Sequence, residues 1–89
     1  EGGIATPLIV FWPAGITAKG GLRAQNAHLI DIMATCLDIT GSSYPKTFNG
    51  HAIQPFEGKS LVPAFTGRPI DRKYIFWEHE GNRAIRDGN

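Results

Sequence analysis

The chain has 89 residues, of which 42% are hydrophobic and 19% charged, and its formal net charge is +1 at pH 7. This composition is typical of a globular protein and argues against a disordered one. The basic residues are scattered rather than gathered into a stripe, so nucleic-acid binding is not indicated. A chain of this length buries only about 60–65% of its unfolded surface, and it holds one domain or parts of two.

The first predicted element is a strand near the N-terminus. An uninterrupted apolar run, Leu8 to Trp12, lies between two prolines. This run predicts a short strand over Leu8–Phe11 that is buried on both faces, as in the interior of a parallel or mixed sheet. The chain offers few partners for it, so the isolated chain is expected to pack loosely or to oligomerise. The opening Glu1-Gly2-Gly3 is interpreted as a loop, and the whole chain as a piece of a larger protein.

A helix is predicted in the middle of the chain, over Ile32–Ile39. Asp31 is the preferred N-cap because its carboxylate also favours the positive end of the helix dipole, and Asn26 is the alternative, capping a longer helix. Gly41 is suited to end the helix. The single cysteine, Cys36, is predicted to be a small buried hydrophobe rather than a nucleophile. The apolar residues that recur at helical spacing are Ile32, Met33, Cys36, Leu37 and Ile39.

The second half of the chain predicts a loop, a short helix and a hairpin. Residues 42–56 have no periodicity and contain turn-forming pairs such as Asn49-Gly50. Ser60 is a candidate N-cap for a short helix near Leu61–Phe65. Alternating residues then predict an antiparallel hairpin from Tyr74 to Arg86, with its turn at Glu80-Gly81.

The clearest candidate for a functional site is the cluster Glu78-His79-Glu80 at the end of the first hairpin strand. Two carboxylates flank an imidazole there, and this charged pair could hold a protonated imidazole or position it toward a substrate. Because side chains alternate along a strand, Glu78 and Glu80 would share one face and His79 the other, so a metal site of three ligands is not predicted. The same cluster also fits a solvated hairpin end.

The other histidines are assigned structural or surface roles. His28 lies near Asp31, and a His–Asp dyad is conceivable, but a structural role is favoured. His51 lies in a loop beside a glycine and is interpreted as a surface residue. The chain has no phosphate-binding loop, nucleophile elbow, zinc-binding motif or Cys-x-x-Cys pair. Its acidic residues are dispersed, so it is not expected to bind calcium tightly.

Four phrases of the sequence, in chain order, resemble the sulfatase family. The second phrase matches the pattern H-x-x-D-I-x-P-T-x-L-D-x-x-G, except that Ala34 stands where relatives usually carry proline. The first phrase departs at Ala5, where relatives usually carry arginine, a change that removes a charged hydrogen-bonding group. The phrases span residues 1–15, 28–41, 58–63 and 76–88.

The resemblance implies an α/β fold similar to that of alkaline phosphatase. On this interpretation residues 1–41 are the end of the large α/β domain, with its buried strand and helix. Residues 42–56 are a linker loop. Residues 57–89 begin a small α+β C-terminal subdomain that contains the antiparallel hairpin.

The resemblance also implies that the parent protein is a sulfuric ester hydrolase. Such enzymes use a formylglycine nucleophile and a divalent metal, usually calcium, and act on sulfated small molecules or glycans in the periplasm, the lysosome or outside the cell. Their nucleophile, metal ligands and sulfate-binding lysine lie upstream of the matching segment. No catalytic or metal-binding residue is therefore assigned here, and the isolated chain, without the rest of the sulfatase, is expected to be inactive.

Within this interpretation, His79 and Glu80 are the candidate substrate-binding residues, because the matching sheet borders the cleft. Two alternatives are kept. The parent could be another hydrolase of the alkaline phosphatase superfamily, acting on phosphodiesters or phosphonates. The segment could also serve only to pack and shape a pocket.

Overall fold

A computed structural model describes residues 3–88, so the predicted loop at Glu1–Gly2 lies outside the described residues. Within this range the strands form two separate antiparallel pairs, and the chain is a small mixed α/β structure. The elements in chain order are α1 (Asp31–Thr40), β1 (Thr47–Phe48), β2 (His51–Ala52), α2 (Val62–Phe65), β3 (Tyr74–His79) and β4 (Asn82–Asp87).

Helix α1 confirms the predicted helix and extends it by one residue at each end. Its C-terminal end is a Schellman motif, in which Gly41 has a φ of 64° and its N–H donates to the carbonyl of Asp38. The predicted cap was wrong. Ile30 occupies the N-cap position, no side chain caps the helix, and Asp31 is the first helical residue. Its carboxylate instead accepts hydrogen bonds from outside the helix.

The buried face of α1 also differs from the predicted one. Asp31, Ala34 and Thr35 are buried, whereas the apolar stripe is exposed except for the half-buried Leu37, with Met33 53% exposed. Cys36 is exposed, so the prediction that it is buried was wrong. The reason is that α1 packs on the segment around α2 through its small and polar residues. Nothing else among residues 3–88 covers the apolar stripe.

The predicted strand over Leu8–Phe11 is not formed in the described chain. Ile9 is 90% exposed and Phe11 88% exposed, so the prediction of a strand buried on both faces was wrong for this chain. A strand requires a hydrogen-bonded neighbour, and the two long strands of residues 3–88 pair with each other. Only the end of the run is anchored, where the ring of Trp12 packs edge-on against Phe65 with centroids 6.2 Å apart.

Both strand pairs are hairpins with turns of two residues. Asn49 and Gly50 have φ of 48° and 78°, and Glu80 and Gly81 have φ of 51° and 83°. Positive φ at both central positions is the type I′ arrangement, whose twist matches that of the flanking strands. The hairpin predicted over Tyr74–Arg86 is confirmed. The pairing of β1 with β2 inside residues 42–56 was not predicted, and the domain boundary in that stretch stays a prediction.

The predicted short helix is confirmed as α2, although its N-cap position is taken by Leu61. Ser60 lies one residue earlier, and its hydroxyl accepts a hydrogen bond of 3.2 Å from the N–H of Val62. Four apolar side chains in the described residues are buried, and two of them are alanines: Ala34, Leu61, Ala64 and Ile75. No helix within residues 3–88 has the length and apolar character needed to cross a membrane.

An extended polar segment, residues 23–28, joins the elements through its side chains. The guanidinium of Arg23 donates to the carbonyl of Ala64 at 3.0 Å. The amide of Gln25 donates to the carbonyl of Arg68 at 2.7 Å and accepts from the N–H of Ile70 at 2.9 Å. These bonds hold the loop after α2 in place, and that loop leads directly into β3.

Candidate functional site

Asp31 is the most completely buried side chain in the described part of the chain, with 0% exposure. Its Oδ1 accepts hydrogen bonds from the backbone N–H of Lys59, at 2.9 Å, and from Nη2 of Arg72. Its Oδ2 accepts from the backbone N–H of His28 and from Nη1 of Arg72, both at 2.7 Å. The two oxygens of a carboxylate offer about four acceptor sites, and all four are used here.

The charge of Asp31 is stabilised by this arrangement. Burial on its own raises the pKa of the carboxyl group. Hydrogen bonds from the side chain of Arg72 and from the backbone of Lys59 and His28, together with the positive charge of Arg72, outweigh burial and hold the pKa of Asp31 below its usual value. The bidentate ion pair is almost completely shielded from solvent, since the side chain of Arg72 is 11% exposed and that of Asp31 is 0% exposed.

The segment before α2 is fastened along α1 by further contacts. The hydroxyl of Thr35 accepts from the N–H of Leu61 at 2.9 Å. The hydroxyl of Ser60 donates to the carboxylate of Asp38. Gly58 has a φ of 102°, and a Cβ added to it would lie 2.4 Å from the carbonyl oxygen of Ile30. A glycine is therefore required where the segment meets the start of α1.

The two faces of the long hairpin have different surroundings. Ile75 is buried and Trp77 half-buried, so their face is turned toward the rest of the chain. Strand alternation places His79 on this same inner face. The outer face is exposed, and cross-strand neighbours there include Phe76 and Ile85. The inner-face pairs are Ile75 with Arg86, Trp77 with Ala84 and His79 with Asn82.

The tip of the hairpin carries the candidate residues His79 and Glu80, both exposed. The carboxylate of Glu78 accepts from the N–H of Gly81 at 2.9 Å, and the amide of Asn82 donates to the carbonyl of His79 at 3.2 Å. These bonds fix the turn. Glu78 therefore supports the backbone from the outer face. The possibility that its carboxylate holds the imidazole of His79 is not realised in this structure.

The imidazole of His79 makes no hydrogen bond or ion pair within residues 3–88. An exposed, uncommitted imidazole at a fixed turn can donate to, or accept from, a polar group of a bound molecule. Glu80 lies in the turn itself with a φ of 51°. The tip thus presents an exposed imidazole and an exposed carboxylate on adjacent residues of the chain.

The remaining histidines follow the structural interpretation. The ring of His28 packs against that of Trp77, with centroids 6.1 Å apart and planes inclined by 32°. Its Nδ1 accepts from the N–H of Ile30 at 3.3 Å, so a dyad of this imidazole with Asp31 is not formed. His51 is exposed in β2, as predicted for a surface residue.

Sequence reasoning missed Arg72, the principal partner of Asp31. The two residues are 41 positions apart, and no local pattern links them. The only available signal was the Asp31 position itself, which was attributed to helix capping. The groups that could hold a metal ion are also dispersed: no three His, Cys, Asp or Glu side chains within residues 3–88 gather closely enough.

The chain is similar to three curated proteins. It is 29% identical to a sulfatase of Formosa agariphila over 90 residues. That alignment covers 98% of this chain and 16% of the relative. It is 31% identical over 93 residues to an uncharacterized sulfatase of Schizosaccharomyces pombe, covering 100% of this chain and 17% of the relative. It is 30% identical over 77 residues to the N-acetylgalactosamine-6-sulfatase of the dog, covering 86% of this chain and 13% of the relative.

The three similar segments are the C-terminal parts of those relatives. The chain therefore spans between 13% and 17% of the length of the curated relatives it matches. No protein-family model matches the chain, and no solved structure matches it.

Proposed function

Because the chain belongs to the sulfatase family, we propose that it is a segment of a sulfuric ester hydrolase. The observation that carries this proposal is the similarity to three sulfatases along nearly the whole chain. The name of the dog relative specifies a sulfated amino sugar. The substrate class proposed for the longer enzyme is accordingly a sulfated glycan or a small sulfate ester.

The segment contributes framework and substrate contacts rather than the reacting groups. Cys36 is followed by Leu-Asp-Ile, which does not match the C/S-x-P/A-x-R pattern of a formylglycine precursor. The residues of this chain also do not fit a calcium site. Asp31 is fully occupied by its partners, and the other carboxylates within residues 3–88 do not gather. The nucleophile and the calcium ion are proposed to be supplied by the rest of the sulfatase chain.

The hairpin tip is proposed to border the side of the active-site pocket where the substrate enters. His79 and Glu80 are exposed there, and the turn that carries them is fixed by Glu78 and Asn82. An imidazole, when protonated, suits an anionic sulfated substrate. Its role is to orient the leaving-group side of the substrate.

The proposal is tested by assaying two proteins, the isolated 89-residue chain and the full-length enzyme that carries it. The full-length enzyme is expected to hydrolyse an aryl sulfate, and the isolated chain is not. Turnover by the isolated chain would contradict the assignment of the reacting groups to the rest of the enzyme. Preferential hydrolysis of a phosphodiester or phosphonate would favour the other hydrolases of the alkaline phosphatase superfamily.

The metal assignment has its own test. Isothermal calorimetry of the isolated chain with calcium is expected to detect no binding in the micromolar range, because no set of oxygen ligands converges within residues 3–88. The full-length enzyme is the positive control. Micromolar affinity in the isolated chain would place a calcium site within this segment and contradict the proposal.

A further inference from the structure

The carboxylate of Asp31 joins three separate parts of the chain. It binds the backbone of His28 before α1, the backbone of Lys59 before α2, and the guanidinium of Arg72 just before β3. A surface ion pair would add little, but this one is buried and bidentate, and its geometry is fixed by backbone donors on both oxygens. The guanidinium of Arg72 is therefore held in one position, and β3 begins only two residues later.

A second line of contacts runs from the same carboxylate to the hairpin. The N–H of His28 donates to Oδ2, the oxygen that also accepts from Nη1 of Arg72. The ring of His28 packs against Trp77 on the inner face of β3. His79 is the next residue on that face. The strand is thus held at its start through Arg72 and near its end through His28 and Trp77.

We propose that Asp31 is a positioning residue, which acts through Arg72 and His28 to fix the hairpin tip, and with it His79, relative to α1. This inference rests on the proposed role of the hairpin tip in substrate binding. The hairpin has its own ladder of hydrogen bonds and a tight turn. Loss of the Asp31 carboxylate therefore displaces the hairpin as a unit rather than unfolding it.

Asp31→Asn is the sharpest variant, because it changes the charge without changing the shape. Four N–H donors point at the carboxylate, and an amide would turn its own N–H₂ group toward two of them. Asp38→Asn is the matched control. Asp38 lies on the same helix and binds Ser60 of the segment before α2, but it is exposed and has no contact with the hairpin within residues 3–88.

The first test is a double-mutant cycle of Asp31→Asn and His79→Ala in the full-length enzyme, with a large sulfated glycan and a small aryl sulfate as substrates. A displacement of about 1 Å can reduce a rate by as much as about 100-fold. Asp31→Asn is expected to lower kcat/KM for the glycan at least 10-fold and to leave kcat/KM for the aryl sulfate nearly unchanged. In the double variant, adding His79→Ala is expected to lower kcat/KM for the glycan little further. Asp38→Asn should leave both substrates unaffected.

Independent, additive effects of the two substitutions would overturn the proposal, since a merely stabilising role of Asp31 would not depend on His79. So would an equal loss on both substrates, or the same loss in Asp38→Asn. Arg72→Lys keeps the charge but not the two-pronged bond, and is expected to behave as a weaker form of Asp31→Asn. Wild-type behaviour of Arg72→Lys would exclude the bidentate pair as the means of positioning.

The second test reads the position directly and needs no activity. Ser43→Cys, at an exposed polar position just after α1, carries one spin label, and Glu80→Cys carries the other at the hairpin tip. The other accessible cysteines of the full-length enzyme are changed to serine. The distance distribution is expected to be narrow in this parent and in Asp38→Asn, and displaced or broadened in Asp31→Asn and Arg72→Lys.

A distribution unchanged by Asp31→Asn, or already broad in the parent, would overturn the positioning role. The two proposals fail in different ways. Absence of sulfate ester hydrolysis would remove the proposed function and leave the spin-label result standing. Active enzyme with an unmoved hairpin would remove only the role of Asp31.

Discussion

At the scale of single residues, Asp31 illustrates how a buried charge is tolerated. Desolvation disfavours the carboxylate, yet hydrogen bonds from two backbone N–H groups and from a guanidinium offset that desolvation cost. Removing the charge of one partner leaves the others with unpaired donors. Asp31→Asn is therefore expected to lower the free energy of unfolding by about 3–5 kcal/mol at pH 7, measured by urea denaturation followed through the helix signal.

The same residue predicts a pH dependence. The pKa of Asp31 is lower in the folded state than in the unfolded state, so its contribution is fully present above the unfolded pKa of about 3.9. That contribution is lost as the pH falls through the folded pKa. The difference in unfolding free energy between wild type and Asp31→Asn should therefore shrink below about pH 4. A difference that stays constant down to pH 2 would contradict this account.

His79 is the residue whose proposed role is most directly tested by kinetics. In the full-length enzyme, His79→Ala is expected to lower kcat/KM about 10–100-fold for a large natural substrate, equivalent to about 1–3 kcal/mol. A small aryl sulfate that does not reach the hairpin should be barely affected. Equal losses on both substrates would indicate a structural or catalytic role, and no loss on either would assign His79 to a solvated hairpin end.

At the scale of elements, features set by neighbouring residues could be predicted from the sequence, whereas those that depend on long-range contacts could not. The hairpin could be predicted because its turn lies in two adjacent residues, Glu80 and Gly81, and its strands alternate. Helix α1 could be predicted from its periodicity and from Gly41. Its buried face could not be predicted, because that depends on which surface packs against the helix. The segment around α2 offers small residues and one hydrogen bond to Thr35, from the N–H of Leu61.

The candidate site divides in the same way. The position of His79 at a strand end, and the alternation that puts Glu78 on the opposite face, follow from the sequence. The hydrogen bond from the N–H of Gly81 to Glu78 is revealed only by the folded turn. Arg72 could not be found at all from Asp31, since their pairing spans 41 residues. Contacts of that kind are specified by the assembled fold and leave no periodic trace in the sequence.

The close contact between the start of α1 and the segment before α2 leads to a prediction for Gly58. Gly58→Ala places a methyl group 2.4 Å from the carbonyl oxygen of Ile30 and imposes a φ of 102° on a residue with a side chain. The substitution is expected to cost at least about 1–3 kcal/mol of stability, measured by denaturant unfolding. Gly3→Ala is the control, because a Cβ at Gly3 meets nothing within 4 Å. Equal stability of the two variants would exclude a steric requirement at Gly58.

At the scale of the whole molecule, the distribution of apolar surface distinguishes this chain from a self-sufficient domain. The run before Trp12 and most of the apolar stripe of α1 are exposed, while only four apolar side chains of residues 3–88 are buried. Monomeric proteins rarely expose contiguous apolar patches larger than a few hundred Å². These surfaces are what a segment of a larger sulfatase would bury against the rest of its chain, and their exposure leads to the final prediction.

The isolated chain is expected to self-associate through the run that contains Ile9 and Phe11, which are 90% and 88% exposed. Sedimentation velocity should detect oligomers whose population rises with concentration and falls in the double variant Ile9→Ser/Phe11→Ser. The control is His51→Ser, which changes an exposed polar position in β2 and should leave association unchanged. A monomer at all concentrations, with slow amide exchange at Ile9, would mean that this run finds cover within the chain itself.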